Sequence, residues 1–148
     1  MTRQNSNAVA ITVQIPSRVP GIPSAASFQK WAQAALAKEA VVTVRIVNRV
    51  EAQRLNHSYR RKNYATNVLT FAYGGAPLEA DIVLCVQVVA REAREQRKSL
   101  AAHYAHLTVH GVLHARGFDH EDTRGAKRME AREIAILGKL GFENPYET

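Results

Sequence analysis

Three histidines in the stretch His110-Gly111-Val112-Leu113-His114-Ala115-Arg116-Gly117-Phe118-Asp119-His120 stand at the spacing H-x-x-x-H-x-x-G-x-x-H. On a helix His110 and His114 lie one turn apart, about 6 Å along the axis and offset by about 40°. Both imidazoles then reach one ion from the same face. Gly117 falls where such a helix can end, because glycine accepts the left-handed backbone that a helix stop requires. The chain can then fold back and bring His120 to the same point as the third ligand. Three neutral nitrogens leave one tetrahedral position open, the arrangement of catalytic rather than structural zinc. Nickel or another first-row ion suits imidazole ligands as well.

The same spacing occurs in metzincin peptidases, which carry a glutamate general base directly after the first histidine. Here that residue is Gly111, which neither takes nor gives a proton, so a peptidase would lack its base. His106 extends the row to i, i+4, i+8, but its Cα lies about 12 Å along the helix from that of His114. That is too far for both to join His120 on one ion. His106 is therefore a packing residue, a support for a ligand, or a contact to substrate. His103 and His57 have no stronger claim than surface histidines. Asp119 has two readings, a hydrogen bond to a ligand or a cap on the turn. Glu121 and Asp122 favour the N-terminus of a following helix through its dipole.

Two other places carry groups that chemistry can use. Arg60, Arg61 and Lys62 are consecutive cations, either a solvated loop or a phosphate-binding one. An arginine fork matches a phosphate edge and offsets charge that builds in a transition state. Asp81 lies inside an apolar strand-like run, where an unpaired carboxylate is costly. It either orients a zinc-binding imidazole, as such ligands usually need, or faces water at a sheet edge.

The eleven-residue histidine stretch resembles the signature His-Gly-x-Leu-His-x-x-Gly-Tyr-Asp-His of the YbeY family of bacterial endoribonucleases and rRNA maturation factors, with Phe118 at the tyrosine. A second stretch, Leu55 to Phe71, is similar to that family's Leu-Asn-x-x-Tyr-Arg-x-Lys-Asp-x-Pro-Thr-Asp-Val-Leu-Ser-Phe. It matches at Leu55, Asn56, Tyr59, Arg60, Lys62, Thr66, Val68, Leu69 and Phe71. Asn63 and Asn67 stand at aspartates, Ala65 at proline and Thr70 at serine, which makes the loop more basic. Asp81-Ile82 matches Gly-Asp-Ile with Ala80 at the glycine, and the ending Leu140 to Tyr146 resembles Leu-Gly-Tyr-x-x-Pro-Tyr.

The resemblance implies a zinc-dependent, single-strand-specific endoribonuclease in rRNA maturation and ribosome quality control, with rRNA and the ribosome as partners. It also implies that Arg60, rather than Arg61, is the functional arginine. The metal would polarise a phosphoryl oxygen. No residue stands out as general base, and a metal-activated water and the RNA 2′-hydroxyl both stay open as nucleophile. Two other functions fit the residues: a metal-dependent hydrolase of another bond, and a ribosome-assembly or RNA-binding factor. In the latter the zinc is structural and Asp119 or Glu121 supplies its fourth ligand.

Composition agrees with a polyanionic partner: 20 Lys and Arg against 13 Asp and Glu leave +7. At 148 residues and 46% hydrophobic content the chain reads as one domain, 1–148, with residues 1–7 loose. Cys85 is the one cysteine, so no internal disulfide is available, and its apolar neighbours suggest a buried thiol. The run Ala8 to Val13 is too short for a secretory segment and no stretch reaches membrane-spanning length, so a cytoplasmic protein is expected.

The elements that must hold these residues follow from periodicity. Alternation predicts strands at Val9–Ile15 and Val42–Val47, and two more at Val68–Tyr73 and Leu78–Val86 that form a hairpin. Phe28, Trp31, Ala32, Ala35 and Leu36 make one helical stripe. A short helix from Asn48 toward Tyr59, a charged one at Val88–Arg97 with a solvated face, the histidine helix capped by Ser99, and a last helix from about Asp122 to Leu140 complete the set. The last is expected to bury Met129, Ile136, Leu137 and Leu140. This order predicts an α+β fold, a small mixed sheet in a single layer packed with about five helices.

Overall fold

The computed structural model describes residues 9–16, 19–60, 66–118 and 122–147; the side chains of residues 59 and 60 lie outside that set. Among the described residues four strands and five helices follow in the expected order: β1 (Val9–Gln14), α1 (Ala25–Ala35), β2 (Ala40–Val47), α2 (Arg49–Arg60), β3 (Val68–Ala72), β4 (Leu78–Cys85), α3 (Val86–Glu95), α4 (Leu100–Ala115) and α5 (Thr123–Lys139). The sheet order is β1-β2-β4-β3. β1 runs parallel to β2 and β2 parallel to β4, while β3 and β4 form the antiparallel hairpin. The fold is thus a mixed-sheet α+β arrangement.

Local signals explain the helix starts. Ser24, Ser99 and Asp122 each turn a side-chain oxygen to an amide in the first turn of α1, α4 and α5, at 3.2, 3.0 and 2.6 Å. Such caps satisfy donors that have no partner within the helix. α3 departs from the sequence reading in one respect. It follows β4 without a loop and buries Val88, Val89 and Ala93, so only its outer side is a solvated charged face.

Strand parity divides the sheet into two faces. Val42, Val44, Ile82 and Leu84 point to the main core, where they meet Phe28 of α1 and Val109, Val112 and Leu113 of α4. Each fully buried side chain of this kind contributes about 1.5–3 kcal/mol. Val83 and Cys85 point the other way, to a smaller cluster with Ala52 of α2 and Val88. α4 lies at the centre, in contact with α1, α3, α5, β3 and β4. A helix so surrounded is apolar almost all round, and the histidine row occupies the narrow remainder.

Gly111 is where α4 comes nearest to the sheet. A Cβ there would stand 2.8 Å from Cγ2 of Ile82 and 3.3 Å from Oγ1 of Thr70. The position that carries a glutamate in metzincins is therefore a helix–sheet contact with no room for any side chain. Alanine at 111 gains about 1 kcal/mol in helix propensity. Against this, Ile82 is fully buried and stiff at χ1, and overpacking such a site costs about 1–3 kcal/mol. Gly111→Ala is expected to lower the melting temperature followed by circular dichroism. An unchanged or higher value would show that Ile82 gives way.

Candidate metal centre

The i, i+4 spacing on α4 stacks His106, His110 and His114 on successive turns, with ring centroids 6.3 and 6.4 Å apart. His103 continues the row inward, 6.4 Å from His106. Exposure rises along it: His103 is 3% exposed, the side chains of His106 and His110 are 12% and 24% exposed, and His114 is exposed. The row therefore runs from the interior to the surface, and its open end carries the pair proposed as ligands. α4 stops at Ala115, Gly117 takes φ of 105°, and the amides of Gly117 and Phe118 return to the carbonyls of His114 and Leu113. The helix stop expected at Gly117 is present. Asp119, His120 and Glu121 lie outside the described residues, as do Arg61, Lys62, Asn63, Ala65 and the side chain of Arg60; the backbone of Arg60 closes α2.

Under the row lies a residue that sequence reading missed. Glu133 of α5 is completely buried. One carboxylate oxygen accepts from His106 Nε2 at 2.8 Å and from the Tyr146 hydroxyl, and the other accepts from His110 Nδ1 at 2.7 Å. Burial on its own raises a carboxyl pKa, but the donors His106, His110 and Tyr146 outweigh it and hold Glu133 down to about 2. Burial and the neighbouring carboxylate push the Tyr146 phenol far up, so it stays a donor. An ionised carboxylate only accepts. The Nδ1 of His110 therefore donates in this contact, which turns the Nε2 edge of the ring away from Glu133.

Two sets of residues are placed to hold an ion. Ligand atoms of His106, His110 and Glu133 lie within 4.8 Å of one another. Their contacts of 2.7 and 2.8 Å are hydrogen-bond lengths; ligands about 2.0–2.1 Å from a tetrahedral zinc stand roughly 3.3 Å apart. The second is the expected pair, His110 through its Nε2 edge and His114 one turn on, with ring centroids 6.4 Å apart. Here Glu133 is the carboxylate that metal-bound imidazoles normally hydrogen-bond. The donor chemistry fits zinc or another first-row ion in this second arrangement.

The other candidates fall out differently. Asp81 reaches no histidine among the described residues: strand parity turns it away from α4, and its carboxylate accepts from the Tyr73 hydroxyl at 2.7 Å. His103, read as a surface histidine, is buried and bonds Glu92 at 2.9 Å. Burial lowers its pKa despite that carboxylate. His57 is exposed. Asn67 donates to Glu92 at 3.0 Å and accepts from the Val68 amide at 2.6 Å, so the aspartate of the related pattern would here oppose a second carboxylate. Glu92, Asn67, His103, His106, His110 and Tyr146 line one cleft of about 330 Å³ beside the row.

Comparison with known proteins bears on the same residues. The sequence model of the family described as Endoribonuclease YbeY matches residues 20–141. Proteins named Endoribonuclease YbeY from Cupriavidus metallidurans and Cupriavidus pinatubonensis are 54% and 57% identical over 88% and 85% of this chain, which spans 68% and 64% of theirs. One of the same name from Thiobacillus denitrificans is 52% identical over 93% of this chain and 96% of its own. The solution structure of TM1509 from Thermotoga maritima superposes with a TM-score of 0.56 at 19% identity, over 93% of this chain and 99% of that one, a likeness of fold. With the histidine stretch, the helix that carries it and the α5 glutamate inside the matched span, the chain belongs to the YbeY family.

Proposed function

We propose that this protein is a zinc-dependent endoribonuclease that cleaves single-stranded RNA in the cytoplasm, in rRNA maturation and ribosome quality control. In this reading His110, His114 and His120 hold the ion, and Arg60 holds the scissile phosphate. The observation that supports it is the buried Glu133 on His110 Nδ1, the contact a zinc-binding imidazole would make while it bound the metal through Nε2. A zinc ion in that place would supply Lewis-acid polarisation of a phosphoryl oxygen. Family membership and the net charge of +7 support an RNA substrate. No helix among the described residues is long and apolar enough to cross a membrane. The Ile82 contact at Gly111 counts against peptidase chemistry, because the residue after His110 has no space for a base.

The test is cleavage of an unstructured and a duplex RNA of the same sequence, with and without chelator. Cleavage of the unstructured strand that stops with chelator and returns with zinc is expected, with the duplex cut more slowly. Binding to the single strand should weaken with salt at about −0.7 in log K per log salt for each phosphate neutralised. Cleavage indifferent to chelator, or a salt slope near zero, would contradict the reading.

A further inference from the structure

We propose that Glu133 and Tyr146 are positioning residues for the metal ligand His110, so that the C-terminal tail is part of the metal centre. The inference rests on the reading of His110 as a ligand. The two oxygens of Glu133 are used unequally. One takes both the His106 Nε2–H and the Tyr146 hydroxyl, and the other is left for His110 Nδ1–H. The first pair fixes the rotation of the carboxylate; the second contact fixes the tautomer and tilt of the His110 ring. Tyr146 comes from the last residues of the chain, and the tail that carries it is itself tied down. Lys98 Nζ donates to the Pro145 carbonyl at 2.8 Å, and Phe142 packs edge-on against Trp31 with centroids 5.8 Å apart. Docking of the tail and orientation of the ligand are thereby one hydrogen-bonded unit.

The isosteric change Glu133→Gln separates a positioning role from mere packing. A carboxamide has one accepting oxygen and one donating nitrogen. With two donors on one side, its oxygen turns to His106 and Tyr146, and its NH₂ meets His110. Nδ1 must then accept, and the ring proton moves to Nε2, the nitrogen required for the ion.

Nitrogen-15 imidazole spectra of the full chain under chelator report the tautomer, and competition with a chromophoric chelator reports zinc affinity. For Glu133→Gln the His110 proton is expected on Nε2, with zinc bound about 10–100-fold more weakly. Tyr146→Phe should keep the Nδ1 proton and lose less affinity than Glu133→Gln. Tyr146 is 43% exposed and Tyr146→Phe keeps its ring, so this variant decides the matter if Glu133→Gln does not fold. Wild-type zinc affinity in Tyr146→Phe, or in a folded Glu133→Gln with the proton still on Nδ1, overturns the proposal. His114→Ala is the reference: if that variant binds zinc like wild type, the ligand set itself is wrong.

Discussion

His114→Ala is expected to lose most of its zinc while keeping its helix content. His114 is exposed on the last turn of α4, so removing its imidazole leaves no hole in the core. Structural zinc sites bind with about 10–16 kcal/mol over four ligands. One ligand is then worth on the order of 3 kcal/mol, or on the order of a hundredfold in affinity. Metal analysis after dialysis, beside the helical band in circular dichroism, measures both expectations. His106→Ala is the informative partner, because its Nε2 points to Glu133 rather than to the proposed ion. It should retain much more metal than His114→Ala. The opposite order, with His114→Ala fully loaded and His106→Ala empty, would put the ion between His106, His110 and Glu133.

The elements were legible because their signals are local. The Ser99 cap, the stripe of Phe28, Trp31, Ala32 and Ala35, and the Val68–Val86 hairpin each lie within a few residues of the pattern that announces them. Strand order was not legible: β2 sits between β1 and β4 through pairings that no short window contains. The site divides in the same way. His110, His114 and the Gly117 stop are one motif on one helix, whereas their carboxylate partner comes from α5. Glu133 did leave a trace, since it stands four residues from both Met129 and Leu137, on the stripe buried against α4. A charge in that place must have partners, and reading the stripe as Met129, Ile136, Leu137 and Leu140 passed over it. His103 was misread because its burial depends on how much of α4 the neighbouring elements cover. Asp81 reads first as support for a zinc-bound imidazole, but Ile82 faces α4 and so turns Asp81 away from it, and the sheet-edge alternative fails too, because β4 lies between β2 and β3. Gly111 was read for the base it lacks; its close contact with Ile82 belongs to the packing of α4 on the sheet.

Arg60→Ala should cleave single-stranded RNA about 10²–10³-fold more slowly, the usual effect of removing one donor from an electrostatic site. Its zinc content and melting temperature should stay nearly those of wild type. Arg60 is the last residue of α2, where a cation gains about 0.3–1 kcal/mol from the helix dipole, so little stability is at stake. Its expected role in reaction comes from where the chain goes next. After residues 61–65 it arrives at Asn67 and Val68, which line the same cleft as His106 and His110. The planar fork of an arginine can meet the charge that builds on the equatorial oxygens of a phosphate. Arg61→Ala provides the control: a neighbouring cation that only adds to the field should lose a little binding as salt rises and leave the rate of a bound strand unchanged. Single-turnover cleavage separates the two, since it reads the step after binding. If both substitutions produce equal and small losses, the connection is a solvated basic surface, and the phosphate contact must be sought among the other cations.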